Sequence, residues 1–134
     1  MTGEVVLDTH VVLWWLAAPE RVSAAADVAI QEATSITISA ISMWEVAMLV
    51  NKGRIELDRP VVAWMRALSG VPRVRVLPLS GESACRAADL ADLHGDPADR
   101  MIVATALEVR GDLVTKDARL LDWAGPRSDI NAIW

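Results

Sequence analysis

Short strand-like segments alternate with helical stretches along the whole chain, and that alternation narrows the fold more than any other feature. Residues 4–7 (E-V-V-L) are short and β-branched, as expected of a buried strand ending at Asp8. Residues 9–17 favour a helix closed by Pro19, and residues 23–32 an Ala-rich helix capped by Ser23. Residues 35–39 (S-I-T-I-S) alternate apolar and polar at strand period; Ser42 then opens a helix through Val50 that Gly53 stops. Asp58 is placed to cap a helix with Pro60 in its first turn, ending near Gly70. A second alternating strand spans residues 73–77 (R-V-R-V-L), and residues 82–93 are helical by their Ala and Leu content. Asp96-Pro97 starts a helix that runs to about Arg110 before Gly111. A short strand at 113–115, a short helix at 117–123 and an edge strand at 130–133 complete the pattern. Strands that alternate with helices need crossover connections. The expected fold is therefore α/β, three-layered, with a mainly parallel central sheet of four to five strands covered on both faces.

The chain has 134 residues, which fits one domain over residues 1–134. Hydrophobic residues make up 53% and charged residues 23%, which excludes a disordered chain and suffices for a packed core. The longest apolar run, residues 11–18, is far too short to cross a bilayer. No basic segment followed by an apolar stretch marks a secretory signal, so a cytoplasmic location without membrane contact is expected. The single Cys85 excludes an internal disulfide and a thiolate metal site. A net charge of −5 opposes contact with phosphates, unless several acids converge on a cation that cancels them locally.

Four acids occupy junctions of this map. Asp8 ends the first strand, Glu45 lies in the first turn of the helix after the second strand, and Asp99 lies in the first turn after Asp96-Pro97. Asp117 directly follows the strand L-V-T. In a parallel sheet the carboxyl ends of all strands share one edge, where ligands bind. Carboxylates brought together there repel one another, and a divalent cation relieves the repulsion. Oxygen donors suit Mg2+ or Mn2+ rather than zinc, and the chemistry they support is metal-assisted phosphodiester hydrolysis. Each acid also has a purely structural explanation. Ser42 to Glu45 fits a capping box, Asp99 favours a helix dipole, and Asp117 and Asp8 can each cap a helix. Taken together the four are harder to dismiss, because a helix capped by Ser42 does not require Glu45 and one capped by Asp96 does not require Asp99.

The stretches V-L-D-T-H-V-V-L-W-W-L, I-S-A-I-S-M-W-E-V-A, L-H-G-D-P-A-D-R-M-I-V-A-T-A and D-L-V-T-K-D-A-R-L, in this order, resemble PIN-domain proteins. Among these they look most like VapC-type toxins of type II toxin–antitoxin systems. The resemblance implies that Asp8, Glu45, Asp99 and Asp117 take the family's four acidic positions. It further implies a Mg2+- or Mn2+-dependent endoribonuclease acting on RNA, an antitoxin partner and a homodimer. The chain departs from its relatives at Gly95 and Ala98, where Arg and an aromatic residue are common, which touches substrate contacts more than metal ligands.

Other residues are weighed against ordinary roles. Asp96 before Pro97 is a cap. Thr115 can orient a ligand or serve as a plain strand residue. Arg100 can meet phosphate, pair with an acid or stay solvated. His10 and His94 share no spacing and are set aside, and Cys85 is expected to fill core space. Met43, Trp44, Met48 and Trp64 lie on or near two central helices, where Met43, Met48 and Trp64 could line a groove for a partner helix. A haloacid-dehalogenase-like phosphatase would want a second Asp where His10 stands. A receiver domain would want a phosphoacceptor Asp where Ser39 and Leu77 end their strands. A non-catalytic module on the same fold is the remaining alternative.

Overall fold

The computed structural model describes residues 2–134; Met1, at the head of the expected domain, lies outside the described residues. Five strands, β1 (Thr2–Leu7), β2 (Ala33–Ser39), β3 (Val74–Leu77), β4 (Asp112–Val114) and β5 (Ala132–Ile133), form one sheet in the order β3-β2-β1-β4-β5. Every pairing is parallel. The expected α/β class and parallel sheet are thus met, with the strand count at its upper bound.

Strand β1 sits at the centre, and its three consecutive apolar residues show why a continuous apolar run suits it. Val5 and Leu7 face one core together with Val11, Val12, Ile30, Ile36 and Ile38. Val6, between them, faces a second core with Ile102, Val103, Leu113 and Leu120. A strand buried on both faces needs apolar residues at both parities. The first face is covered by α1 (Thr9–Ala17), α2 (Ala24–Glu32) and α4 (Val61–Ser69), the second by α6 (Pro97–Val109) and α7 (Ala118–Ala124). Helix α3 (Ala40–Asn51) borders both: Met43 packs on the first core and Ile41 on the second.

Several boundaries differ from the sequence reading, each for a local reason. Helix α3 begins at Ala40, because the Ser39 hydroxyl accepts from the Ile41 N–H. Ser42 is therefore inside the helix and buried, not its cap, and the capping box with Glu45 does not form. Helix α4 starts after Pro60 with no side-chain cap; Asp58 is instead held by the neighbouring Arg59 guanidinium. Helix α5 (Gly81–Ala88) stops five residues short of Leu93. Its freed carbonyls are gathered by Arg100, which donates to the oxygens of Ala87, Ala88, Leu90, Leu93 and His94 at 2.8–3.2 Å. Arg100, half-buried, thus spends its guanidinium on backbone carbonyls rather than on an acid; it fastens the loop before α6. Cys85 is exposed rather than core filler, since α5 turns Ser83 and Ala87 inward.

Gly111 has a stricter role than stopping a helix. Arg110 adopts the left-handed conformation (φ 54°) that ends α6. A Cβ on Gly111 would lie 2.9 Å from the Glu4 carbonyl oxygen, so only glycine lets β4 enter beside β1.

Candidate metal centre

Because all strands are parallel, Leu7, Ser39, Leu77 and Val114 end on one edge, and the loops and helices that follow them meet there. Asp8 is the first residue past β1 and is only 2% exposed. Its Oδ1 accepts from the Thr9 N–H at 2.8 Å and its Oδ2 from the Thr115 hydroxyl at 2.7 Å. Thr115, fully buried just past β4, also accepts from the Asp117 N–H at 3.1 Å. One hydroxyl, 107 positions away in sequence, therefore ties the first acid to the last. His10 Nδ1 lies 3.9 Å from Asp8 Oδ2.

Glu45 sits in the second turn of α3, since the helix starts earlier than the sequence suggests. The Thr9 hydroxyl donates to its Oε1 at 2.5 Å and is also bonded to the buried Ser42 hydroxyl at 2.9 Å. Burial pushes the Glu45 carboxyl above its usual range. Thr9 moderates the rise, and the negative fields of Asp8, Asp99 and Asp96 add to it.

Asp99 lies in the first turn of α6, whose N-terminus is capped by Asp96 accepting from the Asp99 N–H at 3.1 Å. Burial is again the main cause of a raised carboxyl. The contact with His94 (Nε2 to Oδ2, 2.7 Å) opposes it, while Asp8, Asp96 and Asp117 push it further up. Asp117 caps α7 and accepts from the Arg119 N–H at 2.8 Å and from its guanidinium at 3.1 Å. Burial raises Asp117, but the hydrogen bonds and charge of Arg119, with the field of His94, outweigh it, and its net shift is downward.

Among the four acids named from the sequence, Asp8 and Asp99 raise Glu45, and Asp8 and Asp117 raise Asp99. They are not equally close. Among the described residues, the tight group of ligand-competent side chains is His94, Asp99 and Asp117, one atom of each within 4.8 Å of the others. Asp8 and Glu45 stand outside that group. Sequence reading missed His94. The available signal was its place two residues before the Asp96 cap, on the loop leading to Asp99. Arg119, whose guanidinium reaches Asp117 at 3.1 Å and Asp99 at 3.7 Å, was also missed, although its spacing of two from Asp117 was visible.

A PIN domain family model matches residues 5–126. The chain belongs to the PIN-domain family. Its relatives within that family include Ribonuclease VapC22 of Mycobacterium tuberculosis, 44% identical over 124 residues that cover 92% of this chain and 94% of that protein. Among solved structures, a toxin-antitoxin complex from Klebsiella pneumoniae matches with a TM-score of 0.64 at 19% identity, covering 94% of each chain. VapBC2 from Rickettsia felis, bound to a DNA fragment from its promoter, matches with a TM-score of 0.66 at 14% identity over 96% of each chain. At such identities the structural matches establish the PIN fold. No helix among the described residues is long and apolar enough to cross a membrane.

The groove expected from Met43, Met48 and Trp64 is not a single feature. Met43 and Trp64 pack against the first core. Trp64 also lines a cleft of about 400 Å³ with Leu16, Leu57, Leu68 and Val71. Met48 belongs to a separate recess with Trp44, Glu45 and Leu49.

Proposed function

We propose that this PIN-domain chain is a Mg2+- or Mn2+-dependent endoribonuclease, the toxin of a toxin–antitoxin pair, acting in the cytoplasm as one domain over residues 1–134. The observation that carries the reading is the gathering of Asp8, Glu45, Asp99 and Asp117 at the carboxyl edge of the sheet. There Asp8 and Glu45 have hydroxyl rather than guanidinium partners. Burial and mutual repulsion raise Glu45 and Asp99. Such a set of hard oxygen donors fits a divalent cation, whose charge would relieve the repulsion. Asp8, Glu45, Asp99 and Asp117 would hold it. A cation in that position supplies water activation and positive charge against the scissile phosphate. Thr115 and the Thr9 N–H fix both oxygens of Asp8, and Thr9 orients Glu45. Arg119, 62% exposed beside Asp117, is positioned to turn toward a substrate phosphate.

The family membership and the kinship with Ribonuclease VapC22 support hydrolysis of RNA. The toxin-antitoxin complexes among the structural neighbours support an antitoxin partner, for which the apolar cleft beside Trp64 offers a seat. A homodimer is part of the same proposal, with exposed Trp44 and Val62 as apolar surface for it. The test is cleavage of a mixed RNA pool by the purified protein. Cleavage should require Mg2+ or Mn2+, stop in excess chelator and nearly vanish in Asp8→Asn, since Asn preserves the cap but weakens the ligand field. Full activity in chelator would overturn the reading. A folded protein that binds RNA but never cuts it would favour the non-catalytic module.

A further inference from the structure

We infer that His94 is itself a ligand of the cation, adding one imidazole nitrogen to the carboxylates and tilting the site toward Mn2+ over Mg2+. The inference rests on the metal-site reading above.

The first support is distance. His94 Nε2 lies 2.7 Å from Asp99 Oδ2, and ligand atoms of His94, Asp99 and Asp117 all fall within 4.8 Å of one another. Around an octahedral ion with bonds of about 2.1 Å, adjacent ligand atoms are about 3.0 Å apart and opposite ones about 4.2 Å. The trio is thus gathered close to the span of three ligands to one ion. An imidazole that only oriented Asp99 would need one carboxylate neighbour; this one has two within ligand range.

The second support is how the ring is held. Its side chain is only 18% exposed. Its backbone carbonyl, with that of Leu93, accepts from the guanidinium of Arg100, the residue after Asp99. The His94 loop and the Asp99 helix are thus fastened together, and the nitrogen is set beside the carboxylate before any ion arrives. An imidazole nitrogen is a better donor to Mn2+ than to Mg2+, which dehydrates reluctantly and keeps to oxygen and water. A mixed nitrogen–oxygen set therefore gives a preference that four carboxylates alone would not.

The experiment loads wild-type protein with Mn2+ alone and measures electron spin-echo modulation from 14N. Binding of Mn2+ and of Mg2+ is measured by calorimetry on wild type, His94→Gln and Asp99→Asn. Wild type is expected to show an imidazole-type nitrogen coupling that disappears in His94→Gln. The same variant should lose about tenfold or more in Mn2+ affinity, with a much smaller loss for Mg2+. Circular dichroism of His94→Gln checks that it remains folded. Mn2+ that binds, is lost in Asp99→Asn, and shows no nitrogen coupling would overturn the role of His94 and leave the metal site standing. A coupling that survives in His94→Gln would belong to His10, the other histidine of the chain, and would also overturn it. No binding of Mn2+ at millimolar concentration would overturn both readings.

Discussion

Acids at two places along the same sheet have opposite environments. In the first, Glu4 on β1 accepts from the Thr37 hydroxyl and twice from the Arg75 guanidinium at 2.7–2.8 Å, and Arg75 also donates to Thr37. In the second, at the carboxyl edge, Asp8 and Glu45 have threonine partners, and Glu45 and Asp99 feel other acids. An acid satisfied by a guanidinium spans strands and is finished. Acids held by hydroxyls, a backbone N–H or an imidazole, and pressed by one another, retain negative charge that a cation can balance. Asp117 stands between these cases, with Arg119 on one side and Asp99 on the other. The comparison teaches that partner type separates a structural carboxylate from a ligand-ready one, even when both are half-buried.

The contrast breaks most sharply on activity. Asp99→Asn should lower RNA cleavage by at least about two orders of magnitude, beyond the 10–100-fold typical of residues outside the ligand set. Glu4→Gln should leave the cleavage rate essentially unchanged and cost about 1 kcal/mol of stability in denaturant titration, discounted for the exposure of Arg75. If Glu4→Gln cut activity as deeply as Asp99→Asn, partner type would not be the distinguishing feature.

A smaller effect is expected at Thr115→Val. The change keeps the shape but removes the hydroxyl bonded to Asp8 and to the Asp117 N–H. Mn2+ affinity measured by calorimetry should fall by about 10–100-fold, as for other residues that orient a ligand. An unchanged affinity would return Thr115 to the role of an ordinary strand residue.

The smallest effect is on stability against pH, where acids raised in the folded chain and acids lowered in it act with opposite signs. Glu45 and Asp99 are raised in the folded chain, so their contribution is present at low pH and is lost as pH rises through their folded values. Asp58, Asp117 and Asp129 are lowered, the first and last by their arginine partners, so their contribution is lost only as pH falls below about 4. The metal-free protein should therefore melt higher at mildly acidic pH than at pH 7, before declining below about 4. Mn2+ should raise the melting temperature at pH 7, and this gain should shrink as protons displace it from Glu45 and Asp99. A metal-free melting temperature that fell steadily from pH 7 to pH 5 would contradict the raised carboxyls.

Much of the fold was legible because its signals are local. E-V-V-L announces a two-sided strand, S-I-T-I-S a strand, and Asp96-Pro97 a helix start, and each stands within a few residues of its expected place. Failures also had local causes. Ser39 outcompeted Ser42 for the start of α3, and Arg59 took the side chain that would have capped α4. Helix α5 ended early because Arg100, from a later helix, stabilises an irregular loop that no pattern in residues 89–95 encodes.

What the sequence alone determined is which residues reach the carboxyl edge. A strand followed by a helix can only rejoin a parallel sheet in one direction, so Asp8 and Asp117, each following its strand, had to share an edge. What only the tertiary structure decided is which groups face each other across it. The Thr115 hydroxyl meets Asp8 from 107 positions away, and His94 comes to Asp99 on a loop whose carbonyls Arg100 holds. Tertiary packing also divides Met48 from Trp64 into separate recesses. Such pairings depend on side-chain direction and on strand register, and a slip of one residue turns every side chain of a strand to the opposite face.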